Sequence, residues 1–119
     1  MPATANLPAG PGLHIFSERD DEAVVVRLDG ELELATVPAL QEALAQALSG
    51  DCARVVVDVR RLAFLDSAGI NALVQAHQRC LGAERKLSLI VAPGHVQRVL
   101  EVSGILTMLD HTTEEILAA

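Results

Sequence analysis

The chain has 119 residues, half of them apolar, which is enough for one domain with a single core and too few for two. Its two phenylalanines, with no Trp or Tyr, leave that core to Leu, Val, Ile and Ala, a composition suited to helices layered on strands. A formal net charge of −7 disfavours nucleic-acid phosphate or an anionic membrane as the main partner, and no stretch of about 18 apolar residues offers a membrane span.

Residues 1–12 carry three Pro and two Gly with no apolar period and lack the basic start and apolar run of a secretion signal. They are expected to form a flexible tail ahead of one domain at 13–119, in a cytoplasmic protein. His14-Ile15-Phe16-Ser17 and Ala23–Leu28 flank a charged segment, Glu18–Glu22, and predict a hairpin. Gly30 breaks the second strand. Thr36 with Pro38 then marks a helix start, and Val37, Leu40, Leu44 and Leu48 recur at helical spacing to about Ser49 while Gln41, Glu42 and Gln46 turn to water.

Val55-Val56-Val57 is a β-branched run suited to a strand buried on both faces, followed by a turn at Arg60-Arg61. A second helix opens near Ile70, with Leu73, Val74 and Leu81 on its apolar stripe and His77 among them as a hydrogen-bonded side chain at the core edge. Leu87–Val91 gives a third buried strand, His95–Ser103 a short helix, and Thr107–Asp110 a short strand. Thr112-Thr113-Glu114-Glu115 has the form of a capping box ahead of a terminal helix. Right-handed crossovers between parallel strands then predict an α/β domain with a mixed sheet of four to five strands and about four helices.

Cys52 and Cys80 lack metal-site spacing and read as reduced thiols. The basic pairs Arg60-Arg61 and Arg85-Lys86 have no aromatic neighbours to stack bases and read as solvated loop charges. His14, His95 and His111 belong to the surface or loops.

Asp66-Ser67-Ala68-Gly69 places one hydroxyl at a strand-to-helix switch. Ser67 there serves either as an N-cap or as a phosphorylation site, since the amino end of a helix accommodates a phosphate. A phosphoryl group brings about −1.5 to −2 charges at neutral pH, beside Asp66 and near Asp58. The Gly-x-Ser-x-Gly elbow of a hydrolase, the Gly-x-x-x-x-Gly-Lys loop of a nucleotide site and kinase signatures are all missing, so no enzyme activity, cofactor or metal is expected.

Gly30-Glu31-Leu32-Glu33-Leu34-Ala35-Thr36-Val37-Pro38, followed by Val57–Ile70 with Asp66-Ser67-Ala68-Gly69 at its end, resembles the STAS family of anti-sigma factor antagonists over residues 13–117. The resemblance implies a single STAS-like domain that binds an anti-sigma factor with serine kinase activity while Ser67 is bare. It implies release on phosphorylation of Ser67 and resetting by a serine phosphatase, with ATP and magnesium supplied by the kinase. On the same resemblance Glu33, Leu34, Thr36, Asp58, Asp66, Ser67, Ala68, Gly69 and Ile70 form the partner-binding set, Gly69 letting a partner approach the backbone. Leu62, Phe64 and Leu65 either anchor the loop in the core or form an apolar patch beside Ser67, which Leu32, Leu34 and Ile70 extend. Two departures stand out: Glu33 replaces the Asp often found before the first helix, and Ala68 replaces a second hydroxyl. STAS domains also serve in transport assemblies, which leaves a structural serine in a membrane-transport subunit as the alternative.

Overall fold

The computed structural model describes residues 4–8 and 12–113, with side chains from residue 12 onward. Alternating β-branched and turn segments fold as β1 (Thr4–Pro8), β2 (Leu13–Arg19), β3 (Ala23–Leu32), α1 (Val37–Leu48), β4 (Arg54–Leu65), α2 (Ser67–Gly82), β5 (Lys86–Ile90), α3 (His95–Ser103), α4 (Ile105–Met108) and β6 (Asp110–Thr112). The strands lie in sequence order across one mixed sheet: β2 pairs antiparallel with β3, and β3 to β6 run parallel. β2 to β6 supply the five-stranded mixed sheet that the alternation of strand and helix predicts, and β1 adds an antiparallel edge to it.

Each crossover advances one strand, so right-handed connections carry α1 and α2 to the same face, where they pack side by side. That face of the sheet supplies the core from alternate positions: Leu13 and Ile15, Val24, Val26 and Leu28, Val55, Val57 and Val59, Leu87 and Leu89. Leu40, Ala43, Leu44 and Ala47 of α1 and Ala72, Leu73, Ala76 and Cys80 of α2 close over them. β4 is central, and Val56 and Asp58 on its other face are buried as well.

The structure departs from the sequence reading in identifiable places. Thr4–Pro8 forms β1 along β2 where a tail was expected, with Pro8 on the outermost strand, where a missing N–H is tolerated. The expected turn at Arg60-Arg61 is strand. Register shifts between Arg27 and Asp29 and between Gly30 and Glu31 absorb one extra β4 residue each, so β4 runs on to Leu65 through two bulges. Arg60 is no solvated loop charge. Its Nε and Nη2 donate to the Asp58 carboxylate at 3.0 and 2.8 Å, its backbone N–H at 3.1 Å, and Arg27 Nε stands 3.7 Å away. Asp58, 5% exposed, thus holds Arg60 within the first bulge.

Arg85 and Lys86 are also engaged, Arg85 donating to the Gly50 carbonyl at 2.8 Å and Lys86 meeting Asp110 at 3.0 Å. Thr107 lies in α4, and the expected short strand begins at Asp110. Leu81, expected on the buried stripe, is exposed. His77 Nδ1 is buried with no hydrogen-bond partner among the described residues, in contrast to the bonded side chain expected. The expected terminal helix after Thr113 lies outside the described residues.

Two consequences are testable. Gly30 has φ +122° inside β3, and a Cβ there would run into the Gly12 carbonyl, which already accepts the Glu31 N–H. Gly30→Ala should destabilise the domain by about 2 kcal/mol or more, read from urea unfolding, because both the backbone angle and the space are wrong. Burial pushes the Asp58 carboxyl up, but the Arg60 hydrogen bonds and the Arg60 and Arg27 charges outweigh it and hold the group below the usual carboxylate value. Its stabilisation is therefore present above the unfolded value of about 3.9 and fades as pH falls through the lower folded one. Urea midpoints taken from neutral pH into acid should fall less steeply below about pH 4 for Asp58→Asn than for the parent.

Candidate functional site

β3, β4 and β5 each hand over to a helix at their carboxyl ends, so the β3–α1, β4–α2 and β5–α3 junctions gather along one edge of the sheet. Ligands of open α/β sheets bind at this edge, because helix amino termini and loop side chains converge there. The β4–α2 junction carries the motif. Asp66 has extended backbone angles and its Oδ1 accepts the Gly69 N–H at 2.9 Å, while the Ile70 N–H closes the first helical bond on the Asp66 carbonyl at 2.9 Å. Asp66 is the N-cap.

The helix therefore begins at Ser67, three residues before Ile70, and the cap position is already filled. Ser67 is exposed, and its hydroxyl takes part in no hydrogen bond among the described residues. The Ser67 and Ala68 N–H groups also have no acceptor among those residues, as expected of the first turn of a helix. A free hydroxyl thus sits on a partially positive helix end, beside one carboxylate.

Gly69 explains how that turn reaches the sheet. A Cβ at this position would lie 2.6 Å from the Leu32 carbonyl oxygen and 2.7 Å from Leu65 Cδ1. Gly69 is buried, so its missing side chain serves the close approach of α2 to the end of β3 and not the approach of a partner. The Asp66 N–H donates to the same Leu32 carbonyl at 3.4 Å.

Leu32 leads into the β3–α1 loop, which Thr36 holds in shape. The Thr36 hydroxyl is 1% exposed, accepts the Glu33 N–H at 3.0 Å and donates to the Glu31 carbonyl at 2.9 Å. It caps no helical N–H, although it precedes α1. The hydroxyl read as a helix-start signal thus ties the loop from within, and the adjacent Leu34 is left 76% exposed.

Glu33, Leu34, Asp66, Ser67, Ala68, Gly69 and Ile70 therefore converge at the carboxyl ends of β3 and β4, Thr36 beneath them and Gly69 within the packing. Leu32, Leu62 and Leu65 are buried anchors, whereas Phe64 is half-exposed opposite Glu31. Asp58 is not part of the set. Six residues of strand separate it from Leu65, a span of about 20 Å, and its carboxylate is committed to Arg60. The short helix expected at His95–Ser103 is α3, but its place at this edge was not read from the sequence: Ile70 shares a groove of about 380 Å³ with His95, Arg98, Val99, Val102 and Ser103. No cluster of His, Cys, Asp or Glu suited to a metal occurs among the described residues, and no helix among them is long and apolar enough to cross a membrane.

Comparison with known proteins agrees with this architecture. The family model described as Mlab, STAS domain, matches residues 15–110. An anti-sigma-B factor antagonist of Staphylococcus aureus is 24% identical over 102 residues, covering 86% of this chain and 94% of its own. The crystal structure of an anti-sigma factor antagonist from Mycobacterium paratuberculosis superposes with a TM-score of 0.79 at 22% identity, over 90% of this chain and 92% of that one. The anti-sigma factor antagonist SpoIIAA in its unphosphorylated form gives a TM-score of 0.67 at 22% identity, over 94% and 90%.

The capping assignment separates two neighbouring side chains. Asp66→Ala should cost about 1 kcal/mol in urea unfolding through loss of the cap, whereas Ser67→Ala should stay within about 0.5 kcal/mol of the parent. The reverse order would make Ser67 the structural residue.

Proposed function

The chain belongs to the STAS family, and on that premise we propose that it is an anti-sigma factor antagonist whose Ser67 is the phosphorylation switch. The observation that carries this reading is the division of labour at α2: Asp66 caps the helix, so the Ser67 hydroxyl is exposed and has no structural bond to lose. Distant homology to anti-sigma factor antagonists over most of the chain supports the class of partner.

In this reading the bare chain binds a serine-kinase anti-sigma factor through Leu34, the first turn of α2 and the side chains around them, and the sigma factor is freed. The kinase brings ATP and magnesium. Attack of the Ser67 oxygen on the γ-phosphorus forms the phosphoester, ADP leaves, and the hydroxyl proton passes to a base of the kinase. The first-turn N–H groups stabilise the new group, so the helix tolerates it. The partner surface does not, because nearly two charges now stand at the centre of a desolvated contact beside Asp66. A penalty of about 3 kcal/mol weakens binding more than a hundredfold without refolding. A serine phosphatase restores the bare form. A second reading follows from the use of STAS domains in transport assemblies: a STAS subunit of such an assembly, with Ser67 unmodified.

The test is incubation of the purified chain with each serine-kinase anti-sigma factor of the source genome and labelled ATP. Label should enter the parent and not Ser67→Ala. Ser67→Ala should retain binding, and Ser67→Glu should weaken it at least tenfold. Equal labelling of parent and Ser67→Ala, or equal affinity of Ser67→Glu, would remove the switch. Affinity capture that recovers a transport ATPase and no kinase would select the second reading.

A further inference from the structure

Resting on the reading that the partner is an anti-sigma factor, we infer that this partner lays an acidic amphipathic helix in the groove between Ile70 of α2 and the α3 wall, beside the first turn that carries Ser67. Ser67, Ile70, Val74, His77 and Leu81 follow one another at steps of three and four residues, the spacing that keeps side chains on one helical seam. Ile70, Val74 and His77 on that seam are only half-buried and Leu81 is 56% exposed, while Leu73, Ala76 and Cys80 beside it are fully packed inside. The seam forms a rim left open.

α3 supplies the facing wall. The groove of about 380 Å³ that begins at Ile70 is floored by apolar atoms, and Val102 beside it is 85% exposed, more than any other large apolar side chain among the described residues. A groove of that size accepts one or two apolar side chains of a docked helix.

Charge identifies what flanks those side chains. The first turn of α3 contains no acidic residue and leads to Arg98, a cation opposed to the helix dipole and without benefit to the helix itself. Arg98 is exposed and makes no ion pair among the described residues. In a chain of net charge −7 this is a cationic corner beside an apolar floor, complementary to a helix with an apolar stripe flanked by carboxylates. A second copy would bring the same cationic corner and the same net charge, so like would face like.

The test uses Ser67→Ala protein, which cannot be phosphorylated, titrated calorimetrically with the anti-sigma factor kinase that captures it. Adding Arg98→Glu or Val102→Asp should weaken binding at least tenfold each, and Arg98→Glu should flatten the salt dependence of affinity. Gln46→Ala, exposed on α1, should leave it unchanged. Both groove positions are exposed, so thermal midpoints matching the parent exclude misfolding as the cause. If the Ser67→Ala protein binds and both groove variants bind equally well, the groove inference is overturned while the Ser67 reading stands. If no kinase binds the Ser67→Ala protein, the reading fails and the inference with it. Concentration-dependent self-association abolished by Val102→Asp, with kinase binding intact, would assign the groove to a second copy and overturn the inference.

Discussion

The site depends on one close approach: the backbone of Gly69 lies against the Leu32 carbonyl, with no room between them for a methyl group. That contact sets the first turn of α2 on the end of β3. It also joins the β3–α1 and β4–α2 junctions, since the Asp66 N–H reaches the same carbonyl. With the turn fixed there, the Asp66 carboxylate lies where it caps the Gly69 N–H. The cap is thus formed by the residue before Ser67, and the serine is relieved of a structural task. A hydroxyl that holds a helix together would resist modification. This one holds nothing.

Electrostatics at the same edge are divided in a useful way. The amino ends of α2 and α3 both open toward it, and α3 adds Arg98, so a chain that is acidic overall is locally favourable to negative charge. On the proposed reading, a phosphate added at Ser67 would be tolerated by the domain, and its effect would fall on whatever packs against Leu34 and the α2 rim, a change at the interface that leaves the core intact.

The opposite face of the sheet has a different logic. Asp58, Arg60 and Arg27 form a cluster whose geometry follows the first β4 bulge: the Asp58 carboxylate takes both the Arg60 guanidinium and the Arg60 N–H. Its nearness to Ser67 in sequence does not survive folding. The bulged strand carries it about 20 Å away, so its role is to fix the path by which β4 reaches the motif.

The order of strands and helices from Leu13 to Ser103, the central position of Val55–Val57, the buried face of α1 and the serine at a helix mouth were all legible in the sequence, because each is set by local periodicity and local capping chemistry. The strand through Arg60-Arg61, the inward role of Thr36 and the packing role of Gly69 were not, since a bulge, a buried hydroxyl and a close backbone contact are defined by residues on neighbouring strands. The sequence determined that Ser67 stands where a helix begins. Only the tertiary structure decided that Asp66 would take the cap, that Asp58 would be far away and that α3 would form a wall beside Ile70, because these depend on distances across the sheet that no run of adjacent residues encodes.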